Sequence, residues 1–421
     1  MRILILTQYY PPEVGAAQNR LSCLARFLKR AGHSVTVLTA VPNYPSGNIH
    51  AQYRNRLIVE EVEEGITVLR TWLYTRPGLR FFGRLANYLS FSALALVMAV
   101  NKVGRQDVVI TECPPLFTGF SGFFISKLKR AKFAFNISDL WTDSAVDLGM
   151  LKNKTLIALA HRMELFLYQR ADLITCQTQG IVSGVRARVP EATIALVTNG
   201  IEGDFFRKTD DARGRRLQRS YTASGKFVVG YAGLHGLMQD LETVVDAARL
   251  LRDNDRVAFA FYGDGPQKVK LMRRVSEERL ENVEFFPPQP VDRMPEIFAG
   301  FDAMVVPLRD LPVLKGAIPC KLLEAMAAGV PIVLAALGEA KHVVEAGRCG
   351  IVVLPEAPQL MADAICALHH NEPMRVSFGQ NGRQHAFEHY NRDRINERFE
   401  VMLSGLCSGE RGDGTAHWVK V

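Results

Sequence analysis

The feature that most limits what this chain can fold into is a repeated alternation of short, uninterrupted apolar runs with segments of helical periodicity. It begins at the second residue: Arg2 to Thr7 is a run, a helical pattern follows near Gln18 to Arg30, and Ser34 to Thr39 is the next run. An apolar stretch without polar alternation fits a parallel strand buried on both faces, and strand, crossover helix, strand reads as a right-handed βαβ unit. Gly32-His33 closes the helix, because glycine accepts the left-handed conformation of a C-terminal cap. Further strands are expected at Val108 to Thr111, Phe133 to Ile137, Leu173 to Cys176 and Ile194 to Thr198, completing one doubly wound sheet.

After Asn199-Gly200-Ile201 comes a charged stretch, Arg207 to Arg219, that reads as a surface connection. The alternation then restarts at Phe227, with strands expected at Val257 to Tyr262, Val283 to Phe285, Ala303 to Val306, Pro331 to Leu334 and Gly350 to Leu354. Helices are expected from Asp240 to Leu251, Lys321 to Ala328 and Arg392 to Leu406. A chain of 421 residues suits two or more domains of about 150 residues each. The expected division is 1–205 and 206–390, two Rossmann-like domains, then a docked final helix at 391–407 and a flexible polar tail at 408–421.

Composition narrows the function classes. With 48% hydrophobic and 22% charged residues the chain is a folded globular protein. Its 7 cysteines are scattered, with no Cys-x-x-Cys pair, which argues against a zinc site or a disulfide framework; no metal or other cofactor is expected. The first residues lack the charged start, long apolar stretch and cleavage site of a secretory signal, so the cytoplasm is the expected location. A net charge of +8 suits nucleic acid, anionic lipid or a phosphate-rich ligand, but zinc-finger spacing, aromatic RNA-binding signatures and leucine heptads are all missing, and nucleic acid is set aside.

Ligands of doubly wound domains sit beyond the carboxyl ends of the strands, where helix N-termini offer N–H groups to anions. Two places in the sequence fit. The loop Gln8 to Ala17 follows the first strand, and its Gly15-Ala16-Ala17 run either lets phosphate or sugar approach the backbone or is a plain tight turn. In the second, Pro319 opens a helix that Gly329-Val330-Pro331 closes. The N–H groups of Cys320, Lys321 and Leu322 would then face a diphosphate, with Lys321 or Lys315 as a mobile cation. Glu324, one turn further in, either accepts hydrogen bonds from two ribose hydroxyls or is a solvated surface charge.

The run Lys321-Leu-Leu-Glu-Ala-Met-Ala-Ala-Gly-Val-Pro-Ile-Val, with Gly338-Glu339 and Gly350 after it, resembles the retaining family 4 glycosyltransferases of the GT-B fold. Pro11-Pro-Glu-Val-Gly, Asp139-Leu-Trp, Ala171-Asp-Leu-Ile, Asn199-Gly-Ile-Glu, Tyr231-Ala-Gly and Tyr262-Gly-Asp-Gly-Pro match in the expected order across nearly the whole chain. The resemblance implies two Rossmann-like domains facing a central cleft. It also implies transfer of a sugar from a nucleotide diphosphate donor, UDP-linked, with retention at the anomeric carbon by same-face attack. The last Glu of the family's Glu-x7-Glu motif, which holds the donor ribose, falls on Glu324, whereas the first falls on Gly316. The Arg and Lys that many relatives carry after the first strand of the second domain are replaced by the loop Gly233-Leu234-His235-Gly236. Gly233 and His235 are therefore expected to line the donor site, with Lys321 and Lys315 standing in for the missing cations.

Asp139 stands where relatives place a cleft-facing His or Asp, and is expected to position the donor sugar; the alternative is an Asp capping the next helix. Asp143 is a secondary candidate and Trp141 reads as core. The implied acceptor is a lipid-linked saccharide or oligosaccharide in cell-surface polysaccharide or O-antigen assembly. The apolar run Leu85 to Val100, between Arg80, Arg84 and Lys102, Arg105, is shorter than the roughly 20 residues of a spanning helix. Phe117, Phe120, Phe123 and Phe124 stand beside Lys127, Lys129, Arg130 and Lys132. These two segments are either a surface that rests on the anionic inner face of the membrane or two helices packed on the first sheet. Two other readings stay open: a non-hydrolysing nucleotide-sugar epimerase with the same twin-domain architecture, and a subunit that binds nucleotide sugar or glycan without turnover.

Overall fold

The computed structural model describes residues 1–44, 46–79, 81–203 and 225–409. The charged connection Arg207 to Arg219, Arg80 and most of the polar tail lie outside them. The chain divides into two compact units, Met1–Asn199 with Asp393–Val421, and Gly200–Arg392.

The first unit holds strands β1 (Arg2–Leu6), β2 (Ser34–Ala40), β3 (Ile58–Glu63), β4 (Ile66–Thr71), β5 (Val108–Cys113), β6 (Lys132–Ile137), β7 (Leu173–Cys176) and β8 (Ile194–Leu196). They order as β3-β4-β2-β1-β5-β6-β7-β8, parallel throughout except that β3 runs antiparallel to β4. Helices α1 (Ala16–Arg30), α2 (Phe81–Lys102), α3 (Leu116–Lys129), α4 (Trp141–Asp147), α5 (Lys154–Arg170) and α6 (Gln179–Arg188) connect them, and the last helix of the chain, Arg392–Ser408, also packs on this sheet. Period-two alternation in β1 explains the two-sided core. Ile3 and Ile5 meet Leu21, Leu24 and Leu28 of α1 and Phe399 and Leu403 of the last helix, while Leu4 and Leu6 meet Phe91, Ala95 and Met98 of α2.

The second unit holds β9 (Phe227–Ala232), β10 (Val257–Tyr262), β11 (Val283–Phe286), β12 (Ala303–Pro307), β13 (Ile332–Ala335) and β14 (Gly350–Val353). All pair in parallel in the order β11-β10-β9-β12-β13-β14. Its helices are α7 (Leu241–Leu250), α8 (Lys268–Glu277), α9 (Met294–Ala299), α10 (Cys320–Ala327), α11 (Glu339–Gly347), α12 (Pro358–His370) and α13 (Glu372–His389); the last helix of the chain is α14. Each unit is thus a Rossmann-like sheet whose strand order reverses once, between β1 and β5 and between β9 and β12.

Two elements differ from the sequence expectation. The β3–β4 hairpin has no counterpart in it, because half of β3 (Ile-Val-Glu-Glu-Val-Glu) is carboxylates, two of which, Glu61 and Glu63, pair with the buried Arg70 of β4; Glu64 and Gly65, both at positive φ, make its turn. The apolar run around Leu85 extends into a 22-residue helix. Among the described residues Phe82–Lys102 is a helix long and apolar enough to cross a membrane by length and composition, at mean hydropathy 1.3. One face of it is core; the other carries Phe82, Ala86, Leu89, Ala93, Val97 and Val100, all exposed and spaced three or four apart.

Candidate functional site

At the reversal point of the second sheet, the loop after β9 and the helix after β12 come together. Gly233 takes φ 142°, and a Cβ there would stand 3.1 Å from Lys321 Nζ. The loop is braided with the turn after β10: Gly233 N donates to Tyr262 O at 3.0 Å, His235 N to Asp264 O at 2.8 Å, and Gln267 N to His235 O at 3.0 Å. A Cβ on Gly263 would lie 2.0 Å from Gly233 O and one on Gly265 2.5 Å from His235 O. The Gly-Asp-Gly-Pro turn is therefore glycine-rich because two backbones touch there.

Helix α10 forms as its sequence dictates. Pro319 precedes it, Gly329 at φ 73° ends it, and Leu322, Leu323, Ala325 and Met326 fill the core under β12 and β13. The remaining face carries Lys321 and Glu324, both half-buried. Lys321 Nζ donates to Tyr231 Oη and lies 4.1 Å from the centre of that ring, and Tyr231 Oη donates in turn to Leu234 O at 2.6 Å. Burial pushes the Lys321 ammonium down to about 7 against the pull of Glu324 and Cys320. Burial raises the Glu324 carboxyl, opposed by Arg392 and Lys321. Arg392 is itself buried: it donates to Gly200 O, while its Nε and Nη1 have no hydrogen-bond partner. Cys320, half-buried, is the first residue of the helix.

Three expected donor contacts need correction. Leu322 is a core side chain, and its N–H already donates to Pro319 O at 3.0 Å, so it has none to offer a diphosphate. Lys315 is exposed and its ammonium lies 3.5 Å from the Asp310 carboxylate, so its charge is already answered. His235 is fully buried beneath its loop against Tyr231, Phe261 and Phe285. Burial, with Lys268 and Lys321 beside it, pushes the imidazole down to about 4; it is neutral, and its backbone N–H and carbonyl are already bonded to Asp264 and Gln267.

In the first unit, the loop after β1 is pinned by a residue that sequence reasoning missed. The buried Glu13 carboxylate accepts from the N–H groups of Asn43 and Tyr44, each at 2.7 Å, and of Tyr10 at 3.3 Å. Burial raises that carboxyl to about 6 despite these bonds. Gly15 ends the loop with extended backbone, and no side chain caps α1, whose first residue is Ala16. A Cβ on Gly15 would meet only the movable end of Gln18, so the position does not demand glycine.

Asp139 follows β6 and is half-buried; its Oδ1 accepts from Ser144 Oγ at 2.7 Å. The residue at the cap position of α4 is Leu140, without a side-chain cap bond, so Asp139 is not that helix's cap. Burial raises its carboxyl, with Asp143 and Glu164 adding to the rise against the Ser144 and Leu140 hydrogen bonds. Asp143 is held by Arg188 at 2.5 Å and lies 3.8 Å from His161. Beneath Asp139 runs a buried network. Arg20 Nη2 donates to Glu112 Oε1 at 2.7 Å and to Ser138 Oγ at 2.6 Å, Arg20 Nη1 donates to Asn199 Oδ1 at 2.8 Å, and Asn136 and Ser138 both donate to Glu112. The sequence signal for it is a carboxylate inside the otherwise apolar strand Val-Val-Ile-Thr-Glu-Cys.

Residues 15–200 match the Glycosyl transferase 4-like domain and residues 215–385 match Glycosyl transferases group 1. WcaI of Escherichia coli (strain K12), a glycosyl transferase assigned to colanic acid biosynthesis, is 26% identical over 80% of this chain and 83% of its own. A D-inositol 3-phosphate glycosyltransferase of Corynebacterium urealyticum is 24% identical over 66% of this chain and 69% of its own. Among solved structures, sucrose-phosphate synthase of Thermosynechococcus elongatus superposes with TM-score 0.76 at 17% identity, over 97% of this chain and 99% of its own. Anabaena HepE in complex with UDP-glucose superposes at 0.73 and 18% identity, over 96% of this chain and 100% of its own. With both units matched by glycosyl transferase models and each built on a Rossmann-like sheet, the chain belongs to the family 4 glycosyltransferases of the GT-B fold.

Proposed function

We propose that this glycosyltransferase moves a sugar from a UDP-linked donor to a hydroxyl of a lipid-linked saccharide in cell-surface polysaccharide synthesis, with retention at the anomeric carbon. The observation that carries the donor half is Lys321, seated between Gly233 and Tyr231 at the opening of α10 with Glu324 one turn further in. A departing diphosphate gathers charge as the glycosidic bond breaks. Donors fixed in advance where that charge develops lower the barrier more than they tighten ground-state binding. Lys321 and the first N–H groups of α10 meet the phosphates, and Glu324 accepts from the ribose hydroxyls. No side chain forms a bond to the sugar, and the leaving phosphate takes the acceptor's proton on the same face. HepE, solved with UDP-glucose, and WcaI, assigned to colanic acid biosynthesis, support the choice of donor and pathway class.

The acceptor half rests on the first unit. The exposed apolar row of α2, with Phe124 and Leu128 of α3, lies among Arg84, Lys102, Arg105, Lys127 and Arg130, as suits a peripheral protein on an anionic inner leaflet. The test is incubation with labelled UDP-, GDP- and ADP-sugars in a membrane extract. Label from a UDP-sugar moving into the lipid phase is the expected result; an isomerised free donor, or no reaction with any of them, overturns the proposal.

A further inference from the structure

The last turn of α13 carries a pair of imidazoles that the donor chemistry does not use. His385 and His389 stand four positions apart in His-Ala-Phe-Glu-His, so they share one face of the helix, and their ring centres are 4.4 Å apart at a tilt of 45°. This is the spacing at which a helix offers two nitrogen ligands to one divalent ion. His385 is half-buried and seated: a Cβ on Gly347, at the end of α11, would stand 3.3 Å from its ring and 3.3 Å from Cys349 Sγ. His389 is exposed, and rotation about its side-chain bonds brings it to the seated ring.

A metal ion needs neutral imidazoles. Burial lowers the His385 imidazole and His389 beside it lowers it further, against the pull of Glu388. The Glu388 carboxylate, 4.0 Å from His389 Nε2, adds negative charge next to the pair. Zinc–nitrogen bonds of about 2.0–2.1 Å place the two nitrogens of a tetrahedral ion roughly 3.3 Å apart, within reach of rings so close together. Cys349 is no third ligand, because its thiol is fully buried and burial pushes it up to about 12, where it keeps its proton. Among the described residues no group of three or more His, Cys, Asp or Glu is arranged for a metal. The helix therefore offers two imidazoles and leaves the other positions to water, a ligand set that suits zinc, nickel and copper and not magnesium or calcium.

We propose that His385 and His389 form a surface site for a zinc-class divalent cation, which clips the last turn of α13. The ion stands outside the transfer chemistry. What it ties down is the end of the helix that backs α10, since a Cβ on Gly382 of α13 would come 3.6 Å from Met326 Cα of α10.

The test is calorimetry of the full chain, free of any histidine tag, with zinc, nickel, copper or magnesium chloride alone. His389→Ala and His385→Asn are read beside wild type, with His370→Ala as control, because His369 and His370 are a second close pair at 4.7 Å. Midpoints of thermal unfolding without metal check that each variant folds; His389 is exposed, so its variant should match wild type. Saturable zinc binding by wild type and by His370→Ala, at least about tenfold weaker in His389→Ala and His385→Asn, is the expected result. Zinc should raise the midpoint of wild type and leave that of His389→Ala in place. No zinc binding by wild type, equal affinity in His389→Ala, loss in His370→Ala instead, magnesium binding as tight as zinc, or a wild-type midpoint that zinc does not raise overturns the proposal.

Discussion

Lys321 Nζ lies 4.1 Å from the centre of the Tyr231 ring, and its hydrogen bond to that phenol continues to the carbonyl of Leu234. The cation is held by a ring face, a neutral hydroxyl and the pull of Glu324, which is poor compensation for leaving water. A diphosphate would be a far better partner.

Replacing Lys321 by Met should therefore separate binding from stability. The variant loses a charge-assisted contact, so UDP should bind about 10- to 100-fold more weakly by calorimetry. Its thermal midpoint should hold or rise, because a poorly compensated buried cation is gone. A fall in midpoint with unchanged UDP affinity would mean that Lys321 is structural.

The same lysine sets a pH dependence. Its folded value is about 7, below its ordinary 10.5. Between those values the unfolded chain holds the proton and the native chain does not, so the penalty on stability is full below pH 7 and is relieved as pH rises. Ligand binding runs the other way: a diphosphate selects the charged amine, so UDP affinity should decline as pH rises above about 7, with proton uptake visible in buffers of different ionisation enthalpy. A flat profile from pH 7 to 9 in wild type would remove the lysine from the phosphate site.

Glu324→Ala should cost about 1.5–3 kcal/mol of nucleotide affinity, and Glu324→Gln less, since an amide oxygen still accepts one ribose hydroxyl. Competition between UDP and 2′-deoxy-UDP sharpens the reading. The wild type should prefer the ribonucleotide, and Glu324→Ala should lose most of that preference.

How far the sequence carries can be judged from α10. Its start at Pro319, its end at Gly329 and the outward Lys321 and Glu324 follow from local residue types and helical period, and the structure agrees. The involvement of the Leu322 N–H in a tight first turn does not follow, because one hydrogen bond to Pro319 depends on how the helix is entered. Nor does the burial of His235: the two glycines facing its loop belong to the turn after another strand. The parallel strands other than β4 are legible as apolar runs, whereas β3 is masked by the carboxylates of Glu61 and Glu63, whose partner is the buried Arg70 of β4.

Arg20 and Glu112, 92 positions apart, were likewise out of reach of any local pattern. Side chains there are 8% and 2% exposed, so breaking the pair one-sidedly leaves an unanswered charge. Arg20→Met should lower stability by about 3–5 kcal/mol in urea unfolding, and Arg20→Met with Glu112→Leu should recover part of that. If the double variant is worse than the sum of the singles, the network does more than neutralise charge.

Flotation with anionic vesicles tests the surface of α2 and α3. Wild type should float at low salt and be released by high salt, and Phe82→Glu with Val97→Glu should remain at the bottom of the gradient with UDP binding intact. Wild type that stays wholly in the dense fractions at low salt rules out that face as a membrane contact.

Helix α14 carries Phe399, Met402 and Leu403 into the same apolar layer as Ile3 and Ile5. The unit that leaves the ribosome first is thus the last to be sealed, since its lid is encoded after the whole of the other one. Until then a nascent or truncated polypeptide shows an open apolar patch, an invitation to chaperones and to aggregation. Anyone wishing to express that half by itself should splice α14 onto it, because a simple stop codon at the boundary would leave its floor exposed.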